Sequence, residues 1–171
     1  RGQSVQFSPV KKLALEMGEA VLQPESLKSS LAFKELASLK PDVLVVMAYG
    51  QILSQQVLDL PPHGAVNLHA SLLPRHRGAS PIQQAILAGD TETGVTLMQM
   101  EAGLDTGPMI AKASIPIGRE DTAATVHNQL AQLSANLTVE SLPDYLSGNL
   151  PVTPQDESTA TYTAKISKKD G

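Results

Sequence analysis

The chain has 171 residues, of which 42% are hydrophobic and 18% are charged, and its formal net charge is −4. This length fits one domain with a sizeable core, and the net negative charge excludes a generic nucleic-acid binder. The absence of cysteine excludes disulfides and thiolate metal sites. The longest apolar run, residues 43–48, is too short to cross a bilayer. We therefore expect an intracellular protein without a membrane span.

Helical and strand patterns alternate along the chain. Ser8 before Pro9, together with Gly18, favours a first helix over residues 9–17. The apolar run at 42–49 is typical of a strand that is covered on both faces in a parallel sheet. The predicted helices are 9–17, 26–39, 51–58, 80–88 and 121–146, and the predicted strands are 42–49, 65–69, 94–100 and 109–117. This alternation predicts an α/β fold with an open, mainly parallel sheet and flanking helices.

The composition changes after Gly148. Residues 149–171 contain Pro151 and Pro154, a Ser/Thr-rich piece and several lysines, a pattern that suits an extended tail or linker. We therefore expect one domain over residues 1–148, followed by a tail or linker over 149–171. Because the chain opens on Arg1 in a polar stretch typical of a loop interior, we expect it to be a fragment.

Chemistry is expected beyond the carboxyl ends of the strands, where open parallel sheets bind ligands. Asn67 and His69 lie two residues apart and therefore share one face of their strand. Asp105 lies in a glycine-flanked turn that lets a ligand approach the backbone closely. An amide that donates to an oxyanion, an imidazole that carries a proton and a carboxylate that orients the imidazole suit acyl transfer. Ser71 lacks the Gly-x-Ser-x-Gly setting of a nucleophile, so direct transfer is favoured over a covalent intermediate.

Each of these residues also has a purely structural interpretation. Asn67 and His69 could cap a loop, and Asp105 within Leu-Asp-Thr-Gly is good turn chemistry. Arg75 and Arg77 could be solvated loop charges rather than ligands of a phosphate. No histidine spacing matches a known metal motif, so we expect no metal. Spacing alone leaves these alternatives open.

The segment AVNLHASLLPRHRGASPIQQAILAGDTETGVTLMQMEAGLDTGPMI resembles the formyltransferases that use 10-formyltetrahydrofolate. The shared frame is Asn67-x-His69, then Ser-Leu-Leu-Pro at 71–74, then Asp105-x-Gly107. The similarity covers nearly the whole chain, and residues 77–83 and 93–100 favour the methionyl-tRNA formyltransferase branch.

The resemblance implies a Rossmann-like formyltransferase sheet, here without the first strand or strands of the full domain, and a further C-terminal domain beyond the linker. It implies 10-formyltetrahydrofolate as formyl donor and the α-amino group of initiator methionyl-tRNA as acceptor, for translation initiation. It further implies a monomeric cytoplasmic enzyme of bacterial type. Three alternatives remain: a formyltetrahydrofolate hydrolase, a formyltransferase for an amino sugar or small amine, and an inactive folate-binding or interaction module.

The resemblance also implies residue roles. Asn67 would hold the tetrahedral oxyanion, His69 would manage the proton, and Asp105 would position His69 directly or through water. The residues implied to contact folate form two groups: Ile52, Leu53, Glu101, Ala102, Gly103 and Leu104 near the pterin, and Ser71, Leu72, Leu73 and Pro74 as a wall. Arg1, Lys11 and Lys12 would belong to a loop that reaches toward the acceptor stem. Arg75 and Arg77 have no implied role.

Overall fold

A computed structural model of the protein describes residues 6–167, so Arg1 and the last residues of the predicted tail lie outside the described residues. Within that range the helices are α1 (Pro9–Glu16), α2 (Ser30–Ser38), α3 (Gln55–Leu58), α4 (Pro81–Leu87) and α5 (Ala123–Leu146). The strands are β1 (Leu44–Val46), β2 (Ala65–His69), β3 (Arg77–Gly78), β4 (Glu92–Gln99), β5 (Met109–Pro116) and β6 (Tyr162–Thr163). A 3-10 helix spans Glu157–Thr159.

The main sheet of the described residues has the strand order β1-β2-β4-β5. The open α/β sheet with flanking helices is confirmed, but the sheet is mixed rather than mainly parallel. β1 pairs with β2 in parallel, whereas β2–β4 and β4–β5 are antiparallel pairs. A parallel β4–β5 pair would need a crossover of a dozen or more residues, and the short link between these strands permits only the antiparallel pairing. Buried apolar strands have similar sequences whether they pair in parallel or antiparallel. The sequence pattern therefore predicted more parallel pairing than the sheet contains.

The core forms where α5 packs on one face of the sheet. Val66 and Leu68 of β2 join Val95, Leu97, Ile110, Val126, Leu130 and Leu137 in one buried cluster. Because side chains alternate along a strand, Asn67 and His69 project from the opposite face of β2. The burial of Val66 and Leu68 in this core therefore decides which way the polar pair points.

Several element boundaries differ from the sequence prediction. α1 agrees closely, and the hydroxyl of Ser8 accepts a hydrogen bond from the amide of Lys11, so Lys11 and Lys12 lie on a helix rather than in a loop. α2 starts at Ser30 rather than at residue 26, because Ser29 is its N-cap. α3 starts at Gln55 rather than at 51. Capping geometry, which periodicity does not reveal, accounts for the later start of α2.

Between residues 149 and 163 the chain forms hydrogen bonds with the domain and includes the 3-10 helix Glu157–Thr159. Thr153 and Met109 exchange two backbone hydrogen bonds of 2.8 Å, and β6 pairs in parallel with β3. Residues 153–163 therefore add to the surface that carries the polar residues of the site. None of the helices in the described range 6–167 is long and apolar enough to cross a membrane.

Candidate active site

The side-chain amide of Asn67 is free of hydrogen bonds within residues 6–167 and lies on the face of β2 opposite the hydrophobic core. The side chain is half-buried. An asparagine that served only to cap a loop would bond the backbone of that loop. The amide is thus available to a ligand.

His69 is held in one tautomer by its neighbours. The ring is buried, and Nε2 lies 2.9 Å from the backbone carbonyl oxygen of His76. Because a carbonyl can only accept, Nε2 must carry the hydrogen. The ring can therefore gain or lose a proton only at Nδ1, which lies 3.6 Å from Oδ2 of Asp105. That separation is too long for a direct hydrogen bond but is within reach of an ion pair.

Asp105 is anchored by its backbone and by its carboxylate. It adopts a left-handed conformation, with φ of 53°, which aspartate tolerates better than most residues. Its Oδ2 accepts a 2.8 Å hydrogen bond from the amide of Gly78. At Gly107 a Cβ would lie 2.0 Å from the carbonyl oxygen of Gln99, so this turn position requires glycine. The turn therefore presents the carboxylate to Nδ1 of His69.

The loop after β2 is secured to β4 by Thr96. The Thr96 hydroxyl accepts from the amide of Leu73 (3.0 Å) and donates to the carbonyl of Ser71 (2.7 Å). Ser71 in turn donates its hydroxyl to the carbonyl of Arg75 at 2.6 Å, with no base at hand, so it is not arranged as a nucleophile. Ser71 is fully buried, and the Leu73 side chain packs with Met98 and Met109. Of the proposed folate wall, only Leu72 and Pro74 have partly accessible side chains.

The residues proposed to lie near the pterin form an open surface. Ile52 is 85% exposed and Leu53 is half-buried. They follow β1, whose parallel pairing with β2 brings them out at the same sheet edge as His69. Residues 101–104 are exposed and lead directly into Asp105. Within the described residues, no group of three or more His, Asp or Glu side chains could hold a metal ion.

Arg77 is a buried side chain rather than a solvated loop charge. It has no solvent exposure, and its guanidinium forms a two-pronged pair with the Glu157 carboxylate at 2.6 and 2.9 Å. These hydrogen bonds with Glu157 raise the pKa of Arg77 above its usual range and lower the pKa of Glu157. Nε of Arg77 donates to Oε1 of Gln155 at 3.0 Å.

Sequence reasoning gave no role to three groups that contact the predicted site. They are the carbonyl of His76, which fixes the tautomer of His69, the amide of Gly78, which binds Asp105, and the side chain of Gln155. Two of the three are backbone groups, which no residue pattern reveals. Residues 155–157 belong to the part of the chain that resembles the family. Nothing in their composition indicated a contact with Asp105, which lies 50 residues earlier.

Arg75 belongs to a second cluster, with Asp90 and His76. Arg75 Nη2 donates to Oδ1 of Asp90 at 2.6 Å, and Nε2 of His76 lies 2.7 Å from Oδ2. Partial burial opposes ionisation of Asp90, but the hydrogen bonds from His76 and Arg75 outweigh it and lower the pKa below the ordinary 3.8. The cluster ties the loop that carries the His76 carbonyl to the start of β4.

We expect Asp90→Asn to cost about 1.5 to 3 kcal/mol in free energy of unfolding at neutral pH, the range for hydrogen bonds to charged groups. A carboxylate whose pKa is lower in the folded state stabilises the fold above its unfolded pKa, and this stability is lost as the pH falls through the folded pKa. The difference between wild type and variant should therefore shrink below about pH 4. Urea unfolding at several pH values measures it, and a difference independent of pH would contradict the assignment.

A family model described as formyl transferase matches residues 1–142. The methionyl-tRNA formyltransferase of Stutzerimonas stutzeri (strain A1501) is 54% identical over 170 residues, which are 99% of this chain and 54% of that protein. The chain spans about half the length of the curated relatives it matches.

Two solved structures extend the comparison. Phosphoribosylglycinamide formyltransferase from Bacillus halodurans matches with a TM-score of 0.71 and 26% identity over 84% of this chain and 76% of that one. The formyltransferase PseJ from Anoxybacillus kamchatkensis, in complex with UDP-4,6-dideoxy-4-formamido-L-AltNAc and tetrahydrofolate, matches with a TM-score of 0.69 and 25% identity over 90% and 79%. The free amide of Asn67 and the His69–Asp105 pair lie on a fold that this chain shares with these formyltransferases. The chain belongs to the formyl transferase family.

Proposed function

We propose that the protein transfers the formyl group of 10-formyltetrahydrofolate to the α-amino group of methionyl-tRNA, the step that prepares the initiator for translation. The observation that carries this proposal is the free amide of Asn67 on the same strand face as the buried His69–Asp105 pair. The choice of acceptor is supported by the 54% identity to a methionyl-tRNA formyltransferase. Because bacterial translation is cytoplasmic, we expect the protein to act there, as a monomer.

The reaction begins when the α-amino nitrogen attacks the formyl carbon and a carbon–nitrogen bond forms. The carbonyl electrons move to the formyl oxygen, and the amide of Asn67 donates a hydrogen bond to the charge that develops there. A donor positioned in advance stabilises the transition state more than the ground state, because the charge exists only in the former.

Proton transfer completes the exchange. The attacking amine must lose a proton, and the folate nitrogen must gain one as its bond to the formyl carbon breaks. Nδ1 of His69 can take the proton from the amine and pass it to the departing folate nitrogen, because Nε2 already holds its hydrogen against the His76 carbonyl. The carboxylate of Asp105, 3.6 Å away, stabilises the imidazolium that results.

The donor would lie on the open surface formed by Ile52, Leu53 and residues 101–104, with Leu72 and Pro74 at its side. The accessibility of these residues and their position at the carboxyl edge of the sheet support this assignment. The solved relative PseJ, in complex with tetrahydrofolate, further supports a folate on this fold.

The test uses the full-length protein with 10-formyltetrahydrofolate and initiator methionyl-tRNA. We expect mass spectrometry of the released amino acid to find formylmethionine. Methionyl-tRNA with an acetylated α-amino group is the matched control and should accept nothing, because its nitrogen is blocked.

Three other outcomes would each support an alternative function. Release of formate without an acceptor would indicate a hydrolase. Transfer to an amino sugar or to glycinamide ribonucleotide, with none to methionyl-tRNA, would indicate a small-amine formyltransferase. Folate binding without turnover would indicate an inactive binding module.

A further inference from the structure

We propose that Gln155 and Arg77 act as positioning residues that hold the Asp105 turn against His69, so that residues 153–163 form part of the active site. The inference rests on the proposed formyl transfer. It concerns a segment beyond residue 142, where the match to the family model ends.

The side-chain amide of Gln155 bridges this turn and Arg77. Its Nε2 donates to the carbonyl oxygens of Asp105 and Gly107, both at 2.8 Å, and its Oε1 accepts from Nε of Arg77. The first carbonyl belongs to the left-handed residue whose carboxylate faces His69, and the second lies two residues further along the turn. The amide therefore holds the backbone at Asp105 and directly after it, where the chain leaves a conformation that is unusual for an L-residue.

Arg77 decides the orientation of that amide. A guanidinium only donates, so the oxygen of Gln155 must face Arg77 and its NH2 group must face the turn. Arg77 itself cannot swing away, because it is fully buried, paired with Glu157 and hydrogen-bonded to the hydroxyl of Tyr162 at 2.9 Å. A buried charge separated from its partners would be strongly disfavoured.

The neighbouring backbone forms the second contact with the same aspartate. Arg77 donates its amide to the carbonyl of Thr161 at 2.8 Å, in the β3–β6 pairing. The next amide, that of Gly78, donates to the Asp105 carboxylate. A Cβ on Gly78 would lie 2.6 Å from the carbonyl oxygen of Thr163, so the two strands approach as closely as glycine allows. The segment therefore fixes the Asp105 backbone through Gln155 and its carboxylate through Gly78.

A displacement of this segment should affect the chemical step rather than donor binding. Proton transfer by His69 depends on the distance between Nδ1 and the Asp105 carboxylate. Errors of about 1 Å in a catalytic geometry lower the rate by as much as 10²-fold. Gln155 forms no hydrogen bond with the donor surface, whether at Ile52 and Leu53, at residues 101–104 or at Leu72 and Pro74, so donor affinity should change little.

Gln155→Glu is the sharpest variant, because it has the same shape and still accepts from Arg77. It cannot donate to the two carbonyls and instead repels them. We expect kcat for formyl transfer to fall on the order of 10-fold or more, with KM for the folate donor changed less than about threefold. Gln155→Met, which lacks the donors and adds no charge, should act in the same direction. Gln132→Glu on the exposed face of α5 is the matched control and should leave kcat unchanged.

A second readout separates positioning from general weakening. In the full-length protein labelled with ¹⁵N-histidine, the ring signals of His69 should shift in Gln155→Glu, whereas those of the exposed His63 and His127 should not. Unchanged His69 signals together with normal kcat in both Gln155 variants would overturn the inference. So would unfolding of both variants at the assay temperature, which would indicate a role in folding alone.

The experiment also distinguishes this inference from the proposed function. If the unaltered protein transfers no formyl group to any acceptor, the proposed function fails, and the His69 signals still decide whether Gln155 positions the pair. If the unaltered protein is active and the variants match it in rate and in spectrum, only the positioning role fails.

Discussion

We expect Asn67→Ala to lower kcat for formyl transfer by a factor on the order of 10² to 10³, the loss typical of removing one oxyanion donor. The amide of Asn67 has no partner among residues 6–167, so its removal leaves no buried group unsatisfied and should change stability little. Donor affinity should also change little, because the ground-state formyl oxygen carries far less charge than the oxyanion. Single-turnover rates and equilibrium binding of the donor measure the two quantities separately.

The matched control for this variant is Asn136→Ala. Asn136 is exposed on α5, and its side chain accepts a hydrogen bond from Gln132, so the same change of residue type should leave kcat unaltered there. A normal rate for Asn67→Ala would remove the oxyanion role. A loss of donor binding equal to the loss of rate would make Asn67 a ligand of the ground state instead.

We expect Asp105→Asn to lower kcat by a factor on the order of 10² or more, with donor affinity nearly unchanged. Asparagine is the informative replacement because it tolerates the left-handed backbone at φ of 53° and can still accept from the Gly78 amide. The variant therefore removes the negative charge opposite Nδ1 of His69 without removing the turn. Alanine would remove the charge and strain the backbone as well.

Asp59→Asn, an exposed residue at the end of α3, provides the control for the loss of one carboxylate. Pre-steady-state kinetics should show the loss in the chemical step and not in product release. If Asp105→Asn kept its full rate, the imidazolium of His69 would need no stabilising carboxylate. The 3.6 Å pair would then be a structural contact.

Much of the fold followed from local patterns in the chain. The alternation of apolar residues placed β2 at residues 65–69, and the same alternation assigned Asn67 and His69 to one face. Pro9 and Ser8 marked the start of α1, and a glycine followed its end. These features depend on neighbours within a few residues, which is why a single sequence can reveal them.

Strand direction and helix starts were harder to predict. The apolar runs of β1, β4 and β5 are compatible with either pairing direction, and only their arrangement in space made the sheet mixed. The predicted start of α2 was four residues too early, because the cap depends on the local backbone geometry at Ser29 rather than on the apolar period.

The candidate site, like the fold, was predictable from the sequence only in part. By itself the sequence determined which side chains could carry chemistry: an amide, an imidazole and an aspartate in a glycine-flanked turn. Only the tertiary structure decided that Nε2 of His69 is occupied by a carbonyl, that Arg77 is buried, and that Gln155 reaches back to the Asp105 turn. The physical reason is that these contacts join a backbone group or a residue up to 80 positions away, as Glu157 is from Arg77, and no local pattern records such a distance.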